Sequence, residues 1–336
     1  NFLLPPPAQA SWFDSWWDSP RSTVVFAAMV DSEVRSRPSV HAVVARKLKL
    51  DTLLAGGIAG AAARTLTSPL DRVKILMQTQ YLSSGGQADK YRGIWQSLVK
   101  VYKEDGPRGY WRGNGANCVR VVPYSATQFV TFDHCKTWIL SHTGRQPNEK
   151  LHIPERLACG AIAGMMASAA THPLDVVRTR MAVQPELTGI FHTLATLWTE
   201  GRVAALYKGL GPTLASLAPF VAINFASYDT IKNFIYPDES DRPSTLGSLF
   251  MGGSAGIIAQ TACYPLDTVR RRMQMKGKNY TSTINAIMTI SRVEGMGALY
   301  KGIWANTLKV VPNNAIRFMV FEQLKGSKVF AAMFGY

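Results

Sequence analysis

Three aspartates in this chain each follow a Pro-Leu pair and stand three residues before a base: Asp71 with Lys74, Asp175 with Arg178, and Asp267 with Arg270. Three further acids sit behind an aromatic residue and precede a base by the same interval. These are Asp133 with Lys136 after Phe132, Asp229 with Lys232 after Tyr228, and Glu322 with Lys325 after Phe321. Opposite charges in such sets can form and break ion pairs; they do not make or break covalent bonds. No nucleophile lies in a pattern with a base. Cys118, Cys135, Cys159 and Cys263 lack metal-type spacing and read as small buried apolar residues. His172, next to Pro173, reads as a packing residue. The expectation is a protein that is not an enzyme and needs no cofactor or metal.

The elements that position these charges recur as a unit written three times. Ahead of Pro69, Pro173 and Pro265 run small-residue apolar helices with glycines four apart, Gly56/Gly60, Gly160/Gly164 and Gly252/Gly256, a spacing that lets helix backbones approach in a membrane. Behind each proline come an acid-glycine pair and an aromatic-base-glycine triplet: Trp111-Arg112-Gly113, Tyr207-Lys208-Gly209 and Tyr300-Lys301-Gly302. A second apolar helix follows each triplet, with its own proline at 123, 219 or 312. The first unit is the longest, and its extra residues fall in polar stretches such as YLSSGGQADK. The divisions are an N-terminal extension over 1–45 and repeats over 46–145, 146–240 and 241–336.

With 336 residues and mean hydropathy near zero, bulk composition alone fits a soluble protein. Its distribution does not. Six apolar stretches approach membrane-spanning length, each diluted by Gly, Ser, Thr, Gln, Asn and a few bases, as expected where one helix face meets lipid and the other lines an aqueous cavity. The fold class is an all-α membrane protein. It has six transmembrane helices, as three pseudo-symmetric helix pairs around a central cavity. A net charge of +15, from 37 bases and 22 acids, suits anionic lipid and an anionic solute. No nucleic-acid module is recognisable, so no nucleic-acid partner is expected.

Residues that break the threefold symmetry are the candidates for choosing a substrate. Three residues before the prolines of the second helices lie Arg120, Ser216 and Lys309; five after them lie Gln128, Asn224 and Arg317; five before the prolines of the first helices lie Arg64, Ser168 and Gln260. Bases in mid-membrane are costly and mark function by default. Arg64, Arg120, Lys309 and Arg317 have no acid at comparable depth in the sequence, which implies a multiply charged anion.

These motifs resemble the mitochondrial carrier family over about residues 50–330. The resemblance implies a six-helix barrel with both termini in the intermembrane space and three short amphipathic helices on the matrix side, here near 91–106, 187–201 and 280–295. Asp71, Lys74, Asp175, Arg178, Asp267 and Arg270 would form a matrix-side ring gate. Asp133, Lys136, Asp229, Lys232, Glu322 and Lys325 would form a cytoplasmic-side one. Prolines bend the first helices together at one mouth, and two rings that cannot both close around a solute make an alternating-access device. Gln78 and Gln274 match the family's glutamine braces, and Ala182 stands where the third would be. Only Tyr228, among the aromatics of the other ring, offers a bracing hydroxyl, so the matrix side should be the harder to open. By the same resemblance, the triplets at 111–113, 207–209 and 300–302 would hold cardiolipin phosphates at helix N-termini.

The family's contact points fall on Arg120 with Gln128, on Ser216 with Leu217, and on Lys309. Adenine-nucleotide and coenzyme A carriers usually have glycine where Ser216 stands, forming a flat slot for the adenine; Phe220 could stack on a purine. Arg270 to Met275, RRRMQM, resembles the arginine-methionine motif of ADP/ATP translocases. The expected function is antiport of adenine nucleotides in the mitochondrial inner membrane, or alternatively a plastid membrane. Alternatives are a coenzyme A, adenosine-phosphosulfate or ATP-magnesium/phosphate carrier, or an architectural subunit of a membrane complex. The extension over 1–45, with Trp12, Trp16 and Trp17 among acids, is too acidic for a transit peptide. It reads as a disordered tail or as an arm that docks on a protein partner or membrane interface.

Overall fold

In the computed structural model the described residues are 40–83, 90–146, 149, 151–236, 245–275 and 280–326. Most of the N-terminal extension therefore lies outside them. Among the described residues there is no strand. The helices are α1 (Val40–Ser83), α2 (Ile94–Asp105), α3 (Asn114–Val119), α4 (Val121–His142), α5 (Ile153–Ala170), α6 (His172–Val183), α7 (Ile190–Leu206), α8 (Leu210–Ile235), α9 (Thr245–Met273), α10 (Thr283–Glu294) and α11 (Ile303–Gly326). Short 3-10 turns at Pro107–Trp111 and Met296–Tyr300 lead towards α3 and α11.

The prolines act in two ways. Pro69, Pro219, Pro265 and Pro312 lie inside continuous helices. Pro173 instead opens a helix, because Thr171 leaves helical geometry (φ −100°, ψ 6°) and separates α5 from α6. Proline is well placed there, since the first helical turn has no internal partner for the N–H it lacks.

The described residues divide into two compact units, those within 1–63, 125–166 and 314–336 forming one, and those within 64–124 and 167–313 the other. In the first, Phe132, Cys159 and Ala163 make a buried cluster joined by Cys135, Ile139 and Leu151. Arg145 pairs with Glu155, whose carboxylate also accepts the His152 N–H (3.0 Å) and so satisfies an open donor at the start of α5.

The second unit shows the repeat directly. Val73, Val177 and Val269, each two residues past a Pro-Leu-Asp aspartate, are fully buried, and each heads a cluster. Val101, Leu197 and Ile290, from α2, α7 and α10, fill those clusters. The three short helices are thus amphipathic as expected, with exposed apolar residues opposite: Trp95, Phe191, Trp198 and Ile284.

Hydropathy supports the six spans only in part, and one expectation differs. By length and hydropathy one described helix, α8, is apolar enough to cross a membrane, and α5 with α6 would be a second if counted as one bent span. The others are diluted by the polar residues noted above, such as Arg64 in α1 and Asn224's counterparts Gln128 and Arg317. The glycine pairs also do not bring backbones together: among the described residues nothing lies within 4 Å of a Cβ built on Gly60, Gly160 or Gly164, and the nearest atom to one on Gly256 is Asn224 Oδ1 at 3.9 Å. Small size there leaves open space rather than enabling contact.

Candidate functional site

In the second unit the three Pro-Leu-Asp motifs meet. Arg178 reaches Asp71 (2.9 Å), Arg270 reaches Asp175 (2.7 Å) and Lys74 reaches Asp267 (2.7 Å), so each repeat's acid holds the next repeat's base and the third closes on the first. Gln78 donates to Asp267 (3.3 Å) and Gln274 to Asp175 (2.8 Å). Ala182 leaves the Asp71–Arg178 pair without such an amide. Removing both glutamines should favour opening of the ring by about 1 kcal/mol per lost bond, more at Gln274, whose bond is shorter. Labelling of cysteines introduced at the two mouths would measure this; unchanged labelling in Gln78→Ala/Gln274→Ala would refute a bracing role.

Sequence reasoning missed two asparagines. Asn117 Oδ1 accepts from Arg178 (2.9 Å) and Asn306 Oδ1 from Lys74 (2.9 Å). Both stand four residues after a triplet glycine, a recurrence that could have revealed them. The matching Thr213 turns its hydroxyl to Gly209 O of its own helix (2.7 Å).

A second set of arginines encircles the ring. Arg72, Arg180 and Arg272 each donate Nε to the carbonyl at a brace position of another repeat: Ala182 (3.1 Å), Gln274 (2.6 Å) and Gln78 (2.9 Å). Their other nitrogens bind the acids of the acid-glycine pairs, Asp105, Glu200 and Glu294. Arg72 is one residue past its aspartate, whereas Arg180 and Arg272 are five past theirs. That offset hid the equivalence.

The triplet glycines have positive φ, and space beside them is short. A Cβ on Gly113 would lie 2.6 Å from Arg178 O, and one on Gly209 2.9 Å from Arg270 O; on Gly302 it would lie 3.2 Å from Lys74 O. Each triplet is therefore packed on the backbone of a ring base. The aromatic residues are partly exposed. Trp111 donates to Thr65 O (2.9 Å), Tyr207 stacks on His172, and Tyr300 stacks on Tyr264. His172 Nε2 lies 2.9 Å from Lys208 O and Tyr264 donates to Lys301 O (3.1 Å), while Arg112 reaches Asp105 (3.4 Å).

Three of the symmetry-breaking bases lie against the ring. Arg120 Nη1 is 2.5 Å from Asp175 Oδ1, and Lys309 Nζ is 2.5 Å from Asp71 Oδ1. Arg64 Nη1 donates to Asn117 O (3.1 Å) and Oδ1 (3.3 Å). The expectation that these bases lack acids at their depth therefore does not hold for Arg120 and Lys309. A ring base uses one carboxylate oxygen of Asp71 or Asp175, and the other oxygen remains available. Arg271, also missed, binds Asp175 (3.0 Å), Thr179 (2.7 Å) and Gln274 (3.1 Å).

Ser216 donates to Thr213 O (2.8 Å), and Leu217, Phe220 and Asn224 are half-buried on the same helix, α8. Gln128, half-buried, and Arg317, exposed, belong to the first unit. The second charge set is divided: Asp133 and Lys136 lie in the first unit, and Asp229, Lys232 and the buried Tyr228 in the second. The side chains of Glu322 and Lys325 lie outside the described residues. Among the described residues no group of acids, histidines and cysteines could hold a metal.

Comparison with known proteins gives a family model, mitochondrial carrier protein, that matches three segments in succession, residues 48–143, 149–239 and 241–330. The chain belongs to the mitochondrial carrier family. This carrier is thus a transport protein, a multi-pass protein of the mitochondrial inner membrane, with a plastid membrane as the alternative. The carrier is 39% identical over 295 residues to an uncharacterized mitochondrial carrier of Saccharomyces cerevisiae, covering 80% of this chain and 89% of that one. It is 41% identical over 272 residues to the chloroplastic thylakoid ADP,ATP carrier protein of Arabidopsis thaliana, covering 81% of this chain and 64% of that one. It is 37% identical over 305 residues to a mitochondrial adenine nucleotide transporter of the same plant, covering 82% and 86%.

Proposed function

We propose that the carrier is a six-span antiporter that exchanges adenine nucleotides, ADP and ATP or close relatives, by alternating access. The observation that carries this reading is the placement of Arg120 and Lys309, from different repeats, on the Oδ1 atoms of Asp175 and Asp71, with Arg64 on Asn117. Clustered bases beside a closed ring suit the phosphates of a nucleotide, and two relatives are named as carriers of such compounds. Ser216, Leu217, Phe220 and Asn224 would face the base and sugar; Gln128 and Arg317 remain substrate-contact candidates from the sequence. The Pro-Leu-Asp ring is then the matrix-side gate, and Asp133, Lys136, Asp229, Lys232, Glu322 and Lys325, with Tyr228, the cytoplasmic-side gate. The triplets at 111–113, 207–209 and 300–302 would seat cardiolipin.

Purified carrier in liposomes loaded with ADP should take up labelled ATP or ADP and should require internal nucleotide to do so. Uptake of coenzyme A, adenosine phosphosulfate or ATP-magnesium against phosphate, with none of ADP, would replace this substrate with one of those. Absence of any exchange by folded protein would favour an architectural role. The departure from glycine at Ser216 alters the slot in which an adenine would lie, and so bears on adenine nucleotides and coenzyme A alike. A plastid membrane is the alternative site of action, tested by localising the tagged full-length chain.

A further inference from the structure

We propose that Lys309 is the third brace of the matrix-side gate, and that bound anion opens this gate by drawing Lys309 off Asp71. This rests on the anion-exchange reading above. Gln78 and Gln274 each give one ring pair a fixed neutral donor, but Ala182 gives none to Asp71–Arg178. The gap beside it is a cavity of about 10 Å³ lined by Ser68, Asp71, Arg178 and Ala182 among others. The missing donor comes from another repeat, as Lys309 Nζ on Asp71 Oδ1.

The replacement differs in kind from an amide. An ammonium on a flexible four-carbon stem is a mobile point charge, and this side chain keeps 26% of its surface exposed. A phosphate can compete with the carboxylate for it through a charge-assisted contact, which it could not do as strongly for an amide. Arg120 is shared in the same way with Asp175, but Asp175 keeps Arg270, Arg271 and Gln274 if Arg120 leaves. Among the described residues, Asp71 would keep Arg178 as its one direct ion-pair partner, with Lys74 acting at longer range. The pair between the first and second repeats is therefore the one that substrate releases first.

The full chain carrying S68C, in liposomes, reports the state of this pair, because Ser68 is buried beside it. Modification of position 68 by a water-soluble thiol reagent is read by mass spectrometry. Without any ligand, K309Q should raise that modification roughly tenfold, the shift expected for one lost charged contact. K309R, which keeps the cation, should match the parent, and A182Q added to K309Q should restore closure by supplying the absent amide. Unchanged modification in folded K309Q, or failure of the amide in a folded double variant, overturns the brace. In the parent, ADP should raise modification and should raise it no further in K309Q. If pyrophosphate acts and ADP does not, the adenine-nucleotide reading falls and the unlatching stands; if neither acts, the unlatching falls.

Discussion

Replacing Arg120 by alanine is expected to lower nucleotide exchange by roughly a hundredfold or more, since a lost charge-assisted contact to a bound phosphate costs about 2–5 kcal/mol. The protein should still fold. Asp175 retains Arg270, Arg271 and Gln274 when Arg120 is gone, so no buried acid is left without a partner. Exchange in liposomes and thermal melting, measured on one preparation, separate the two effects. Parental exchange by Arg120→Ala would remove this residue from the substrate site, and a collapse in melting temperature would show that its role is structural.

The opposite pattern is expected at Asp175. Its carboxylate is 1% exposed and is met by Arg120, Arg270 and Arg271 together. In Asp175→Asn the side chain keeps its shape while three guanidinium groups lose the acid they share, and stability should fall by about 3–5 kcal/mol, the usual cost of stranding buried charge. Asp267→Asn should cost less, because a single lysine, Lys74, is its ion-pair partner in the ring. Thermal melting in detergent with added cardiolipin compares the two. A variant at Asp175 that melts with the parent, or at a higher temperature than the variant at Asp267, would refute this ranking.

The ring could be read from the sequence because recurrence replaced distance information. Three acids and three bases in identical contexts have few ways to pair, and the gap at Ala182 showed as plainly as the glutamines at Gln78 and Gln274. What could not be read was the pairing of the symmetry-breaking bases. Aligning helices on their prolines places Arg120 and Lys309 only to within about a turn, and a turn is the difference between an open cavity and an oxygen of Asp175 or Asp71. Arg72 escaped because it reaches the same place as Arg180 and Arg272 from a different sequence position. Gly60, Gly160 and Gly164 misled for another reason: small residues at a spacing of four permit close approach without requiring it. Hydropathy was weakest of all, since residues that line a cavity lower the mean of the helices that carry them.

Arg272 holds the carbonyl of Gln78 across 194 residues of chain, while Arg180 reaches Gln274 across 94 and Arg72 reaches Ala182 across 110. Every repeat therefore finishes its interior with an arginine or a carbonyl that another repeat supplies. The first repeat, though synthesised first, must wait for the last before Gln78 finds its donor and Lys74 its acid. Contacts of such long range form slowly because chain entropy is lost before they reward it. Until the third repeat arrives, a growing or truncated chain carries polar groups that only the completed circle can satisfy. Two repeats made without the third would leave Lys74 and Asp175 facing one unmatched seam, so assembly is an all-or-none closure rather than the addition of independent parts.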